Sequence, residues 1–346
     1  MRILVVGAGI AGTLTALELQ QRGVHVVVGD DPLRPSASRA AAGLVNPVTG
    51  IRLTLLPGTA RFLAAAEETF SGITARLGRP VWHPMPIERF FRDAGERERW
   101  DRRKRDPAYA AWTETLPETE GGRLVFGGVR IRGGGWFDYG CLPAVLERAG
   151  IPLVRGVVDH REIETDRHAL RWRWKWRGEG YDHLILCPGH SGGDPWFTRL
   201  PWKAARGEIL TVRSHQGPEG AVWMRGHFVI PLGDGVYRVG STYRWDGFDA
   251  GPSSEGREEI LAGWCALGLP PRPEILDHRV GIRPILQDRL PAVGPHPEHP
   301  FVWTLNGLGS RGAMMAPLLA RQLADALLDG REIDPIYQAA RFAGVG

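Results

Sequence analysis

The segment Gly7-Ala8-Gly9-Ile10-Ala11-Gly12 has the residue types and spacing to hold a phosphate. Gly7 permits a tight turn, Gly9 leaves the backbone open to a pyrophosphate, and Gly12 lets the next helix pack closely on the preceding strand. The start of that helix offers free N–H groups and a positive dipole. Asp30, about twenty residues further on, is placed to accept hydrogen bonds from ribose hydroxyls. Asp31 is a second candidate for that contact, although an exposed loop carboxylate is its ordinary role. Together these residues predict a bound dinucleotide, and their spacing leaves NAD and FAD both open.

The motif needs particular elements around it. Ile3 to Val6 is a short apolar run suited to a strand buried on both faces. Ile10, Leu14, Leu17 and Leu19 mark a helix that Gly23 can end, and Val24 to Val28 form a second strand running to the acid. The order strand, glycine loop, helix, strand, acid predicts an α/β, Rossmann-like domain. A chain of 346 residues has room for a second domain interleaved with the first. Strands are expected there over Gly207 to Val212, His227 to Ile230 and Val236 to Ser241, with Gly233-Asp234-Gly235 as a hairpin turn.

Composition narrows the class. The chain is 43% hydrophobic and 24% charged, a globular balance rather than a disordered one. The net charge of +4 permits an anionic ligand or nucleic acid without demanding either. Of the 43 basic residues only Lys104, Lys175 and Lys203 are lysine. Trp172, Trp174 and Trp176 alternate with Arg171, Arg173, Lys175 and Arg177, which predicts a strand. Such a strand can stack RNA bases, but tryptophans covering a neighbouring sheet or helix are the expected reading. In Arg89 to Arg105, the acids Glu96, Glu98 and Asp101 predict a solvated helix laced with ion pairs rather than an RNA site. Cys141, Cys187 and Cys265 form no CxxC, so neither a zinc site nor a disulfide framework is expected. The apolar run after Met1 is broken by Gly7 and Gly9, which argues against a signal peptide, and no window is long enough to span a membrane. A cytoplasmic protein is expected.

Further segments carry a resemblance. Ser36-Ala37-Ser38-Arg39-Ala40-Ala41-Ala42-Gly43-Leu44-Val45-Asn46-Pro47 resembles the second flavin-contacting segment of the D-amino-acid-oxidase-like superfamily of FAD-dependent oxidoreductases, the glycine oxidase and sarcosine oxidase type. Gly135-Trp136-Phe137-Asp138 looks like that family's return from the substrate domain, and Leu184-Ile185-Leu186-Cys187-Pro188-Gly189 like its strand and turn near the flavin. Gly281-Ile282-Arg283-Pro284, then Asn306-Gly307-Leu308-Gly309-Ser310-Arg311-Gly312, resemble the closing flavin motif. The wording of that motif is closest to the FAD oxidase domain of bifunctional tRNA 5-methylaminomethyl-2-thiouridine biosynthesis enzymes, whose methyltransferase half has no counterpart in this sequence.

The resemblance implies non-covalent FAD. Its contacts would be the opening motif with Asp30 and Asp31, then Ser38, Arg39, Ala42, Gly43, Leu44, Val158, Cys187, Gly189, Arg283 and Gly307 to Gly312. It implies a Rossmann-like FAD/NAD(P)-binding domain of the GR2 type, from residues 1–55, 142–197 and 277–346. The α+β substrate domain, built on an antiparallel sheet, would take 56–141 and 198–276. The implied activity is oxidation of a C–N bond in a small amine or amino acid, with oxygen as acceptor and the resulting imine hydrolysed.

Arg283 is the expected substrate anchor, since a guanidinium grips a carboxylate through two hydrogen bonds; pairing with Asp288 is the structural alternative. Amino-acid oxidases usually carry a tyrosine just before the Ile/Val-Pro of the substrate strand. Here that strand reads His227-Phe228-Val229-Ile230-Pro231, and Phe228 cannot donate a hydrogen bond. Tyr243 can supply the missing hydroxyl, although a core position is its ordinary role. Arg52 should point along the flavin's face, and Arg311 either neutralises reduced flavin or holds its loop. His190 and His227 are expected to be structural. Two other functions fit the same residues. One is oxidation of a modified tRNA wobble uridine through a basic mouth, and the other is electron transfer without a small substrate of the protein's own.

Overall fold

The computed structural model describes residues 1–33, 35–120, 122–156, 158, 164–166, 173–190 and 196–342. One sheet has six strands, in the spatial order Leu153–Arg155, His25–Asp30, Arg2–Val6, His183–Leu186, Val302–Asn306 and Ala292–Pro295. All pair in parallel except the last two. Alternate residues of the opening strand face opposite layers. Ile3 and Val5 pack with the helices Ile10–Gln21, Thr59–Leu77, Leu142–Arg148 and Gly312–Asp329. Leu4 packs on the other side, against Trp174, Trp176 and Tyr181 of a small antiparallel sheet. Coverage on both faces explains the unbroken apolar run.

The alternating tryptophans therefore cover a neighbouring sheet. Trp174 and Trp176 are each 2% exposed, which removes them as a stacking surface for RNA. Arg171 and Trp172 lie outside the described residues.

A second sheet has eight strands, in the order Glu274–Arg283, Ala205–Arg213, Val236–Gly240, His227–Gly233, Val222–Arg225, Ile87–Phe90, Gly128–Ile131 and Thr113–Leu116. It is antiparallel except where Val222–Arg225 runs parallel to Ile87–Phe90. Those two strands come from separate stretches of chain, so no hairpin constrains their direction. The turn at Gly233-Asp234-Gly235 has positive φ at all three residues. Glu274–Arg283, although the sequence grouped residues from 277 onward with the flavin domain, is the edge strand of this sheet. One face packs on the helix Ser254–Cys265 through Leu210, Val212, Val229 and Val239. The other face looks toward the parallel-sheet domain.

The solvated helix expected within Arg89 to Arg105 is corrected in part. Ala94–Arg103 is helical, capped by Asp93, and Arg97–Asp101 and Lys104–Asp101 pair on its outside at 3.1 and 2.6 Å. Arg89, however, lies on a sheet strand, and it forms a buried pair with Glu96; they are 6% and 1% exposed. Among the described residues, no helix is long and apolar enough to cross a membrane.

Candidate functional site

A continuous cleft of about 1420 Å³ runs between the two sheets. That exceeds the roughly 300–1,000 Å³ of a drug-sized pocket and leaves room for a dinucleotide and a substrate together. The opening motif forms one end. Gly9, Ile10 and Ala11 line the cleft at the start of the first helix, whose N-cap residue offers no side-chain acceptor. Gly7 has φ +102°, and an added Cβ would sit 2.3 Å from the Cys187 carbonyl oxygen. Gly12 is absent from the cleft wall because it packs inward; a Cβ there would lie 1.8 Å from the Gly7 carbonyl oxygen. Its part is therefore the close packing of helix and strand.

Asp30 ends the second strand, where its Oδ1 accepts from Ala8 N at 3.0 Å and Arg39 approaches at 3.5 Å. Asp31 Oδ1 accepts from Leu33 N at 3.0 Å and also faces the cleft. Ser38 Oγ reaches back to accept from Ile10 N at 3.0 Å, so the second segment is tied to the first helix turn. Ala42, Gly43, Leu44, Val158, Cys187 and Gly189 continue the wall. Burial pushes the Cys187 thiol up to about 12, so it is a neutral packing group. Gly307 to Gly312 close the far side, at the start of the helix Gly312–Asp329.

Two residues of this half escaped the sequence reading. Asn306 Nδ2 donates to Gly189 O at 2.9 Å and its Oδ1 accepts from Gly307 N at 2.8 Å, locking the two glycine turns together. It stands at the head of the closing motif, but no role was assigned to it there. Tyr139 lines the cleft with its hydroxyl 3.4 Å from the position of a Gly312 Cβ, and Ile10 lies on the other side of Gly312. Burial pushes this phenol up, keeping it a neutral donor.

The other half of the cleft is walled by the eight-stranded sheet. Arg283 lies across Gly207, where a Cβ would meet its guanidinium at 2.2 Å. It donates to Ser241 Oγ at 2.7 Å, Thr242 O at 3.2 Å and Arg206 O at 3.3 Å. The alternative pairing with Asp288 is not formed, because Asp288 binds Arg341 at 2.9 Å. No carboxylate pairs with Arg283 among the described residues. Burial pulls the Arg283 guanidinium below its usual range, and neighbouring Tyr243 opposes that.

Tyr243 is not a core residue. It is 45% exposed and stands on the cleft wall with Arg283 4.8 Å over its ring. Phe228 lines the same wall. Arg52 is exposed at the edge, and its side chain meets no acceptor among the described residues. Arg311 donates to the Arg289 carbonyl, which holds its loop, and burial lowers its affinity for the proton. His190 and His227 also reach the wall. His190 sits beside the Phe248 ring and His227 3.5 Å from Glu259, and burial lowers both imidazoles.

A crevice at the carboxyl ends of parallel strands, lined by two helix starts and by an arginine with no carboxylate partner among the described residues, is where such sheets bind dinucleotides. The family of FAD-dependent oxidoreductases known as DAO matches residues 2–326, and the chain belongs to it. The glycine oxidase of Pseudomonas aeruginosa is 28% identical over 382 residues, which covers 100% of this chain and 99% of that protein. The bifunctional tRNA 5-methylaminomethyl-2-thiouridine biosynthesis protein MnmC of Marinobacter nauticus is 28% identical over 359 residues, 94% of this chain but 55% of that protein. The chain thus spans about half the length of that second relative. Among solved structures, glycine oxidase from Geobacillus kaustophilus superimposes with a TM-score of 0.80 at 19% identity, covering 99% of this chain and 98% of its own. Iminodiacetate oxidase from Chelativorans sp. BNC1 gives 0.79 at 21% identity, covering 97% and 98%. Both show the same fold.

The residues present fit FAD. Gly9, Ile10 and Ala11 at the first helix start line the cleft, and the Asp30 carboxylate stands beside them, bonded to Ala8 N. A charge-assisted hydrogen bond contributes about 1.5–3 kcal/mol. Asp30→Ala is therefore expected to weaken FAD binding by about 10- to 100-fold in a fluorescence titration of the apoprotein. An unchanged dissociation constant would remove Asp30 from the cofactor site.

Proposed function

We propose that this protein oxidises the C–N bond of a small amino acid or N-substituted amino acid whose carboxylate is held by Arg283. The observation that carries this reading is a half-buried guanidinium whose partners among the described residues are all neutral, on the wall of the FAD cleft. A desolvated cation without an anion is costly unless a ligand supplies one. The similarity to glycine oxidase over the full length of both chains supports the same class of substrate.

When bound, FAD supplies the two-electron oxidation. The protein's residues bind, orient and shield. Arg283 fixes the carboxylate through two prongs, which leaves the adjacent C–H and the amine only a small range of positions. Phe228 and Ile209 contribute apolar wall beside them and keep water from the C–H bond. The Tyr243 hydroxyl is the available donor to the substrate's polar end. The C–H bond next to nitrogen breaks, the carbon becomes a C=N, and water then divides it into a carbonyl compound and an amine. Oxygen is the proposed acceptor, giving peroxide.

The purified holoprotein is expected to release peroxide with at least one of glycine, sarcosine, iminodiacetate or a D-amino acid, and to lose its yellow absorbance when that compound is added without oxygen. If none of the set changes the spectrum or yields peroxide, the small-amino-acid reading is wrong. The similarity to MnmC supports a second reading, oxidation of a modified tRNA base. It predicts that flavin is reduced by undermodified tRNA and not by the free amino acids.

A further inference from the structure

Beside Arg283 lies a ladder of two touching rings with a cation at each end, which the binding of FAD and a carboxylate leaves unexplained. The Arg283 guanidinium stands 4.8 Å over the Tyr243 ring. Tyr243 meets Trp245 edge to face, with centroids 5.1 Å apart at 70°. The Lys203 ammonium stands 4.7 Å over Trp245. Tyr243 and Trp245 are 45% and 44% exposed, although each is large enough to be worth burying.

Their exposure is built into the backbone. Arg206 and Arg244 exchange two main-chain hydrogen bonds, at 2.8 and 3.0 Å, which pins the segment to the first residues of the interior strand Ala205–Arg213. Alternation then sends Arg244 to the side where it pairs with Glu259. Tyr243 and Trp245 are left together on the opposite side, and Tyr243 lines the cleft. Two touching exposed rings that continue a ligand cleft mark a binding surface. The cations at both ends favour a neutral or electron-rich ring over a cationic group.

We propose that Tyr243 and Trp245 form an aromatic subsite, so that the preferred substrate is an amino acid carrying a planar ring within a few bonds of its nitrogen. This rests on the reading that Arg283 holds the carboxylate, and it names the substrate's remaining part. The carboxylate and the ring are gripped by neighbouring groups of one ladder. Trp245 is a specificity residue that touches the ring and stays clear of the reacting bond.

Three N-substituted glycines test this in the holoprotein: sarcosine, N-benzylglycine and N-(cyclohexylmethyl)glycine. The last two match in size and differ in aromaticity. The expected kcat/KM for N-benzylglycine is about tenfold above that for its saturated counterpart, as ring–ring and cation–ring contacts allow. Trp245→Ala should bring the two compounds to within about twofold, and Trp245→Phe should retain most of the preference. Equal rates for the two compounds in the unaltered protein, or a preference that survives Trp245→Ala, would overturn the proposal. In either case, oxidation of sarcosine would leave the function itself standing; no reaction with any of the three defeats the aromatic subsite, and the function then stands or falls with the wider set of amino acids named above. A short unmodified single-stranded RNA, added as competitor, separates the sources of the ring. Competition that fades with salt assigns it to a base in a nucleic acid, and no competition assigns it to a free small molecule.

Discussion

Arg283→Ala is expected to lower kcat/KM for carboxylate-bearing substrates by about 10²- to 10³-fold, with KM taking most of the loss. A two-pronged contact between a desolvated guanidinium and a carboxylate is one of the stronger single interactions a protein offers a small anion. Its partners in the protein are a hydroxyl and two carbonyl oxygens, so the guanidinium keeps its full charge for a ligand. Arg283→Lys keeps a charge but not the planar fork, and it should recover only part of the loss. The melting temperature is the control. Removing a half-buried cation that has no anionic partner among the described residues relieves part of a desolvation cost, which offsets the lost packing across Gly207. The expected change in stability is thus within about 1 kcal/mol. A large fall in melting temperature would make Arg283 structural, and unchanged kinetics would separate it from the substrate.

The opening half of the site was legible because its logic is local. Turn, helix start and acid are consecutive in the sequence, and each residue type answers to one requirement. The closing segment was legible through its resemblance to a family, since nothing local says that Gly307 to Gly312 return to the same crevice. The placement of three residues was hidden, because each depends on distant segments of chain meeting. Tyr243 was a candidate hydroxyl weighed against a core position, and the Arg206–Arg244 bridge that turns it outward depends on a neighbouring strand. Tyr139 follows a motif but reaches the cleft only where Gly312 arrives beside it. Arg89 sat within an arginine-rich run, and pairing with Met224 on the adjoining strand places it on the inward face. Within that run the interspersed acids made Arg89 look like solvated surface.

That last case carries the largest expected effect on stability. Glu96→Ala should destabilise the fold by about 3–5 kcal/mol near pH 7 in urea unfolding, because it strands buried positive charge. The Glu96 carboxylate receives Arg89 Nε at 3.1 Å and Arg89 Nη2, together with Arg92 N and Nε, both at 3.1 Å. Arg89 is held further by Gly50 O at 2.8 Å, so it cannot swing out to water without releasing the loop that ends at the cleft edge. Burial alone would raise the Glu96 carboxyl, but the charge and hydrogen bonds of Arg89, with those of Arg92, outweigh it and hold the group below its ordinary value of 4.5. The group binds its proton more weakly when folded than when unfolded. Its contribution is therefore complete above that ordinary value and disappears as pH falls through the depressed folded value. Glu208 behaves alike: burial pushes it up, and Ser253, Arg206 and His278 bring it down further. The natural protein should lose stability steeply below about pH 4.5, whereas Glu96→Gln, which has no proton to take up there, should lose less. The two stability curves should approach each other as pH falls through the depressed folded value of Glu96. A gap of constant size over that fall would mean that Glu96 stabilises the fold by its shape alone, and the buried charge on Arg89 would then need another explanation.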